Sequence, residues 1–148
     1  MRTPILIGAL LGIVTAVYAQ HAEDLPAGPI RDRHQLMEGI GKHAKVIGDA
    51  LKAGNFSPVG EAAGKIETSA VKVPLLFPKG STDPKSRAKP EIWDNWKKFE
   101  ELAKQLHANA GELARTAKGG GDVKARANDL FATCKSCHDD FRKPEEKK

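Results

Sequence analysis

The sequence predicts an all-α protein that folds as an antiparallel four-helix bundle. β-branched and aromatic residues are sparse, whereas Ala, Lys, Leu and Glu dominate long stretches of the 148 residues. Four segments repeat apolar residues every three or four positions, which is typical of helices packed in a bundle. The connections between these segments are mostly short, which favours antiparallel neighbours. With 40% hydrophobic and 29% charged residues, the chain has the composition of an ordinary globular domain.

Residues 1–19 are predicted to be a signal peptide that is removed from the folded protein. Arg2 supplies the positive start, and residues 5–17 form an almost unbroken apolar run. Ala19 is a small residue of the type that a signal peptidase reads. A membrane span needs about 20 apolar residues, so an uncleaved anchor is only the alternative. We therefore expect one mature domain, residues 20–148, that is exported to the periplasm and has no membrane span.

The first helix is predicted to run from Pro29 to about Lys52 and to end at Gly54. Proline is favoured at the first position of a helix, and glycine just beyond its last position. Arg33 falls within the apolar stripe, where an apolar side chain would be expected. The stripe consists of Ile30, Met37, Ile40, Ala44, Ile47 and Leu51.

The second helix is predicted to begin with Ser57 as its N-cap and Pro58 at the first helical position. Pro74 weakens this helix, and a loop rich in Pro, Gly, Ser and Thr then extends to Pro90. The apolar positions of the helix are Val59, Ala62, Ile66, Ala70 and Val73.

The third helix is predicted to open with Pro90 and Glu91 and to stop at the glycines 119–121. The fourth is predicted to run from Asp122 to about Lys143. The apolar positions of the third helix are Ile92, Trp96, Phe99, Ala103, Leu106, Ala110 and Leu113. Those of the fourth are Val123, Ala127, Leu130, Cys134, Cys137 and Phe141.

The fourth helix carries the motif Cys-x-x-Cys-His, formed by Cys134, Cys137 and His138. Positions three apart lie on one face of a helix, so both thiols can reach the two vinyl groups of one haem. His138 follows the second thiol directly, and its imidazole can then ligate the iron. This spacing is the attachment signature of c-type haem, and an export signal supplies the matching compartment. The sequence therefore predicts one covalent haem c with His138 as an axial ligand.

Other functions of the two cysteines are weaker alternatives. A structural zinc site needs four ligands, and the chain has no second pair at a suitable spacing. A thioredoxin-like dithiol would follow a strand, whereas Cys134 and Cys137 lie within a predicted helix. A simple disulfide would leave His138 as an ordinary surface residue. A thiol–disulfide protein without haem therefore stays as a hypothesis that visible colour would exclude.

The charge pattern limits the partners. The net charge is +5, but basic and acidic residues alternate along the helices, so no nucleic-acid partner is predicted. An acidic redox partner is compatible with this charge. No acid–base pair or nucleophile constellation occurs, so we do not predict an enzyme.

The chain resembles the class II c-type cytochromes, which comprise cytochrome c′ and its low-spin relatives, over essentially all of the mature sequence. The resemblance implies a haem inside a four-helix bundle, held by the last helix and covered by the first. Cytochromes c′ are often dimers that associate through their first two helices, so the resemblance also implies a possible homodimer. The resemblance rests on Cys134-x-x-Cys137-His138 with Phe141-Arg142, on Arg33-His34-Gln35-Leu36-Met37 and on Lys89-Pro90-Glu91-Ile92-Trp93.

The family divides on the iron position opposite the histidine. In cytochrome c′ this position is open, and the five-coordinate, high-spin iron binds nitric oxide or carbon monoxide. In the low-spin branch, a methionine of the first helix is a ligand, and Met37 lies at the matching place. Residues 73–78 also look more like the low-spin branch. We therefore predict that His138 and Met37 both ligate iron and that the protein carries single electrons between redox partners. The alternative is a gas-binding cytochrome c′ in which Met37 only packs against the haem.

The resemblance also implies a role for two arginines. Arg33 would lie near a haem propionate, where a guanidinium can pair with the carboxylate; a surface or rim arginine is the alternative. Arg142 is similar to the family's basic residue near the proximal imidazole, although it could equally be a solvated cation near the helix end.

Overall fold

The computed structural model describes residues 25–144, so the predicted signal peptide lies outside the described part of the chain. These residues form five α-helices and one short 3-10 turn, Pro74–Leu76, without a β-strand, which confirms the all-α fold class. No helix within this range is both long enough and apolar enough to cross a bilayer. The helices are α1 (Pro29–Ala53), α2 (Val59–Ala70), α3 (Glu91–Asp94), α4 (Trp96–Gly119) and α5 (Val123–Phe141).

The bounds of α1 agree with the sequence prediction. Gly54 adopts a left-handed conformation with φ 68°, which lets its N–H reach back to the carbonyls of the last turn. The start of α2 differs by one residue, because Pro58 rather than Ser57 is the N-cap and no side chain caps this end. The helix stops at Ala70, three residues before the predicted Val73, because the following residues bond as tight turns that lead into the 3-10 turn.

The predicted third helix is broken in two. Asn95 has the non-helical dihedrals φ −119° and ψ 42°, and it separates α3 from α4. The indole Nε1–H of Trp93 donates to the carbonyl of Phe77 at 3.0 Å, which ties α3 to the long loop. The prediction of one continuous helix from Glu91 is therefore wrong. The helix is interrupted at Asn95, next to the turn that the Trp93 hydrogen bond holds against the loop.

The predicted apolar stripes form the core. Helix α5 starts where Asp122 accepts a hydrogen bond from the Ala125 N–H at 2.9 Å, and it ends at Phe141, slightly before the predicted Lys143. The largest fully buried side chains come from every helix: Ile47, Val59, Ile66, Ile92, Leu113 and Leu130.

The four long helices are packed unevenly around the core. Helix α2 packs closely on α1 and on α4, and α4 packs closely on α5. Direct contact between α1 and α5, by contrast, is restricted to a few positions. At Gly60 the approach of α2 to α4 is so close that an added Cβ would lie 3.4 Å from the Lys118 side chain. The bundle is therefore tight on three sides and looser between its first and last long helices.

Candidate haem site

The Cys-x-x-Cys-His motif lies on the last two turns of α5. Cys134 and Cys137 are half-buried free thiols, three positions apart on one side of the helix. Cys137 packs against the hydrophobic core. His138 is an exposed residue, and its carbonyl accepts a hydrogen bond from the Arg142 N–H at 3.0 Å, which closes the helix. One helix therefore presents two thiols towards the protein interior and an imidazole at its C-terminal end.

The surroundings of the two thiols disfavour a redox-active dithiol. Burial raises the pKa of Cys134. Burial, followed by the proximity of Cys134 and Asp140, raises the pKa of Cys137 to about 11. Catalytic dithiols need a lowered thiol pKa, because the thiolate is the nucleophile. The zinc alternative has no support either, since residues 25–144 contain no cluster of three or more His, Cys, Asp or Glu able to hold a metal ion.

The surroundings of His138 favour the neutral form of its imidazole. Partial burial is the main cause of its lowered pKa, and the positive charges of Arg142 and Arg87 add to the effect. Neutral imidazole is the form that ligates a metal. The local electrostatics therefore suit an axial ligand rather than a cation.

Met37 is a half-buried side chain on α1 that packs against the core together with Leu36. Its helix, α1, has little direct contact with α5. A flat prosthetic group bound to α5 can be covered by α1 in this arrangement.

Arg33 is a buried residue, not a rim residue. Only 3% of its surface is exposed, and its guanidinium lies 4.7 Å from the centre of the Phe77 ring. Its Nη2 donates to the carbonyl of Ser81 at 2.8 Å and to the hydroxyl of Ser86 at 3.0 Å, and its Nη1 donates to the Ser81 hydroxyl at 2.8 Å. Burial lowers the pKa of Arg33. These partners are neutral, and no ion pair of Arg33 with a carboxylate occurs between residues 25 and 144.

This buried cation fits a haem. An ionised side chain away from water is costly unless an opposite charge lies nearby. Haem carries two propionates, so a haem between α1 and α5 would supply the type of charge that Arg33 lacks. The two thiols of α5 are groups that can attach a covalent haem, and its imidazole is a group that can ligate the iron. The guanidinium of Arg33 would suit a propionate.

The sequence did not single out the partners of Arg33. Ser81 and Ser86 belong to the long loop, 48 and 53 residues from Arg33. The loop ends in a short antiparallel bridge between Ala88 and Arg142, just beyond the end of α5. Isolated serines in a loop have no periodicity that could have revealed these contacts.

Known proteins resemble this chain along most of its length. Residues 28–142 match the family model described as Cytochrome C′. A cytochrome c′ of Rhodopseudomonas palustris is 33% identical over 117 residues, which cover 76% of this chain and 80% of the relative. The structure of cytochrome c′ from the same organism has a TM-score of 0.74 and 31% identity, over 82% of this chain and 100% of that one. A cytochrome c′ described as having an unusual ligand-controlled dimer dissociation has a TM-score of 0.71 and 29% identity, over 84% and 97% of the two chains.

These similarities correct the functional prediction made from the sequence. The prediction of an electron carrier with Met37 as an iron ligand is wrong, because the matched family and these relatives are cytochromes c′. Residues 73–78, whose likeness to the low-spin branch contributed to that prediction, contain the 3-10 turn Pro74–Leu76 and the Phe77 carbonyl that accepts from Trp93. One covalent haem c is the cofactor of this family, as the two-cysteine motif predicts. The chain belongs to the cytochrome c′ family.

Proposed function

We propose that this protein is a five-coordinate, high-spin cytochrome c′ that binds nitric oxide or carbon monoxide at its haem iron. The match of residues 28–142 to the cytochrome c′ family is the observation that carries the proposal. The bound haem supplies the iron position at which a diatomic gas binds, while the protein controls access and polarity around it.

The residues of the motif and Arg33 have three roles in this proposal. Cys134 and Cys137 hold the haem through thioethers, and their spacing on α5 fixes the ring against one helix face. His138 is the proximal ligand, supported by the lowered pKa that keeps the imidazole neutral. Arg33 pairs with a propionate, supported by its 3% exposure and its neutral partners.

Met37 screens the open side of the haem without bonding to the iron. It is half-buried and packs against the core, so it contributes apolar bulk on α1. A flexible thioether side chain fills irregular space well and can move aside for a small ligand. Gas access to the iron is then governed by packing on α1.

Export and self-association complete the proposal. Residues 1–19 have the pattern of a signal peptide, which supports a periplasmic protein with a single domain from residue 20 onward. A homodimer is supported by the relative whose dimer dissociates under ligand control and by the exposed apolar side chains of Val46 and Val71.

Visible spectra test the proposal. We expect broad high-spin bands in both oxidation states of the purified holoprotein and full carbon monoxide binding by the reduced form. Met37→Ala should leave the coordination unchanged and speed carbon monoxide binding several-fold, because the screening side chain is shortened. Met37→Leu, which keeps the apolar bulk, is the matched control. Low-spin bands that disappear in Met37→Ala would contradict the proposal.

A further inference from the structure

The loop segment 81–89 connects two parts of the bundle that are otherwise nearly separate. At one end it receives the guanidinium of Arg33 from α1. At the other end it forms the bridge to the chain that follows α5. Helices α1 and α5 have few direct contacts with each other, and this segment has hydrogen bonds to both ends of that gap.

Ser86 lies where the two sets of contacts meet. It is buried, with 8% of its surface exposed. Its hydroxyl accepts a hydrogen bond from Arg33 Nη2 at 3.0 Å and another from the Ala88 N–H at 3.3 Å. Its carbonyl accepts from Lys143 Nζ at 2.9 Å. A hydroxyl oxygen has two lone pairs, so both acceptor positions of Ser86 are used.

The bridge beyond Ser86 fixes the end of α5. The Lys89 N–H donates to the carbonyl of Phe141 at 3.0 Å, and the Lys143 N–H donates to the carbonyl of Arg87 at 2.7 Å. Lys89 Nζ also donates to the carbonyls of Asp139 and Asp140, at 3.0 and 3.2 Å. These carbonyls belong to the last turn of α5, where a cation satisfies acceptors that have no helical partner.

We propose that Ser86 is a positioning residue for His138, because its hydroxyl couples Arg33 on α1 to the bridge that holds the last turn of α5. This inference rests on the proposed function, in which His138 is the proximal ligand. The hydrogen bond from Arg33 fixes the position of the Ser86 hydroxyl, and this hydroxyl accepts a hydrogen bond from the Ala88 N–H at the start of the bridge. The orientation of the imidazole relative to α1 then depends on a residue that does not touch the haem.

Three variants of the holoprotein separate this role from simple stability. Ser86→Ala removes the hydroxyl and leaves the backbone carbonyl that binds Lys143. Ser81→Ala is the matched control, because Ser81 also accepts from Arg33 but does not contact the bridge. Ser86→Thr restores a hydroxyl. Two quantities are measured: deuterium exchange by mass spectrometry of peptides covering residues 86–90 and 139–144, and the midpoint potential of the haem, which can be measured at any coordination number.

We expect amide exchange in both peptides to be about tenfold faster in Ser86→Ala than in the unsubstituted protein, because a buried hydrogen bond to a charged donor is lost. The midpoint potential should fall, since a looser proximal side admits water and favours the ferric ion. Ser81→Ala should change neither quantity in this way, and Ser86→Thr should restore both.

Three results would overturn the proposal. Unchanged exchange in Ser86→Ala would mean that the hydroxyl does not hold the bridge. Faster exchange without a change of potential, or an equal change of potential in Ser81→Ala, would mean that Ser86 does not act on the haem through α5. A low-spin spectrum of the unsubstituted protein would instead contradict the proposed function, and the comparison of exchange and potential would still decide the role of Ser86.

Discussion

A guanidinium group inside a protein needs a counter-ion or a full set of acceptors. Arg33 has neutral acceptors in the long loop and an aromatic ring beside it, but no carboxylate within residues 25–144. Hydrogen bonds to hydroxyl and carbonyl oxygens of the loop partly offset the cost of burying this charge. The same burial lowers the pKa of Arg33. The side chain therefore stabilises the loop, and its charge would suit a haem propionate, as the proposed function expects.

Arg33→Ala should destabilise the holoprotein by about 2–4 kcal/mol, because the buried hydroxyls and carbonyls of the loop lose their donor. Guanidinium chloride unfolding, followed by circular dichroism, measures this loss. Arg126, whose exposed side chain forms an ion pair with Asp129 at 3.2 Å, provides the control. Arg126→Ala should change the free energy of unfolding by less than about 0.5 kcal/mol. Equal effects of the two substitutions would contradict the structural role of Arg33.

Cys137→Ala should leave a haem attached through one thioether only. The pyridine haemochrome spectrum of the denatured protein should then shift to that of a haem with one unsaturated vinyl group. Ser136→Ala, which changes an exposed neighbour on the same turn, should leave the spectrum of a doubly attached haem. An unshifted spectrum in Cys137→Ala would exclude this cysteine from the attachment.

At the level of elements, the sequence predicted the helices where local signals are strong. Proline and glycine mark the two ends of α1, and Asp122 caps α5 as its side chain suggests. The break at Asn95 escaped prediction because neither Pro nor Gly marks it; its neighbour Trp93 bonds to a loop that is distant in sequence. Local propensity contains no information about such a contact.

The contrast between local signals and distant contacts also explains which residues of the candidate site could be predicted. The Cys-x-x-Cys-His motif and Arg33 were found from spacing and resemblance, because the chemistry is contiguous or lies on one helix. Ser81 and Ser86 were missed because only the folded loop brings them to Arg33. The prediction that Met37 ligates the iron is wrong. A methionine at this position is compatible with both ligation and packing, so the sequence alone does not distinguish the two.

Two exposed glycines, Gly41 within α1 and Gly54 just beyond its end, should respond to alanine with opposite signs. A Cβ at either Gly41 or Gly54 would meet no atom within 4 Å, so only the backbone conformation matters. Gly41 is inside the helix, where alanine should stabilise the fold by about 0.5–1 kcal/mol. Gly54 has φ 68°, which costs an alanine about 1 kcal/mol. Thermal unfolding of the two variants measures both shifts; a shared sign would contradict this account.

At the scale of the whole molecule, stability is distributed unevenly. The pairs α1–α2, α2–α4 and α4–α5 pack directly, whereas α1 and α5 have little contact of their own. A haem held on α5 and covered by α1 would add the missing apolar surface. The cofactor then acts as part of the core as well as the site of chemistry.

The double substitution Cys134→Ala with Cys137→Ala should therefore loosen one side of the bundle selectively. Deuterium exchange should rise most in α1 and α5, by more than tenfold, because these helices lose the group between them. The exchange of peptides from α2 and α4 should rise by a smaller factor than that of α1 and α5, since α2 and α4 pack closely on each other. Uniform exchange across all four long helices would show that the haem stabilises the bundle as one unit.

The bridge next to the end of α5 also has a consequence for the order of folding. Its hydrogen bonds join residues 50 to 57 positions apart in the chain. Contacts between distant residues form late, because closing a long loop costs entropy before any bond is gained. Until the bridge closes, the last turn of α5 is not yet fixed, and its cysteines stay open to the machinery that attaches haem. We therefore expect attachment to precede closure of the bridge, which then secures the completed site.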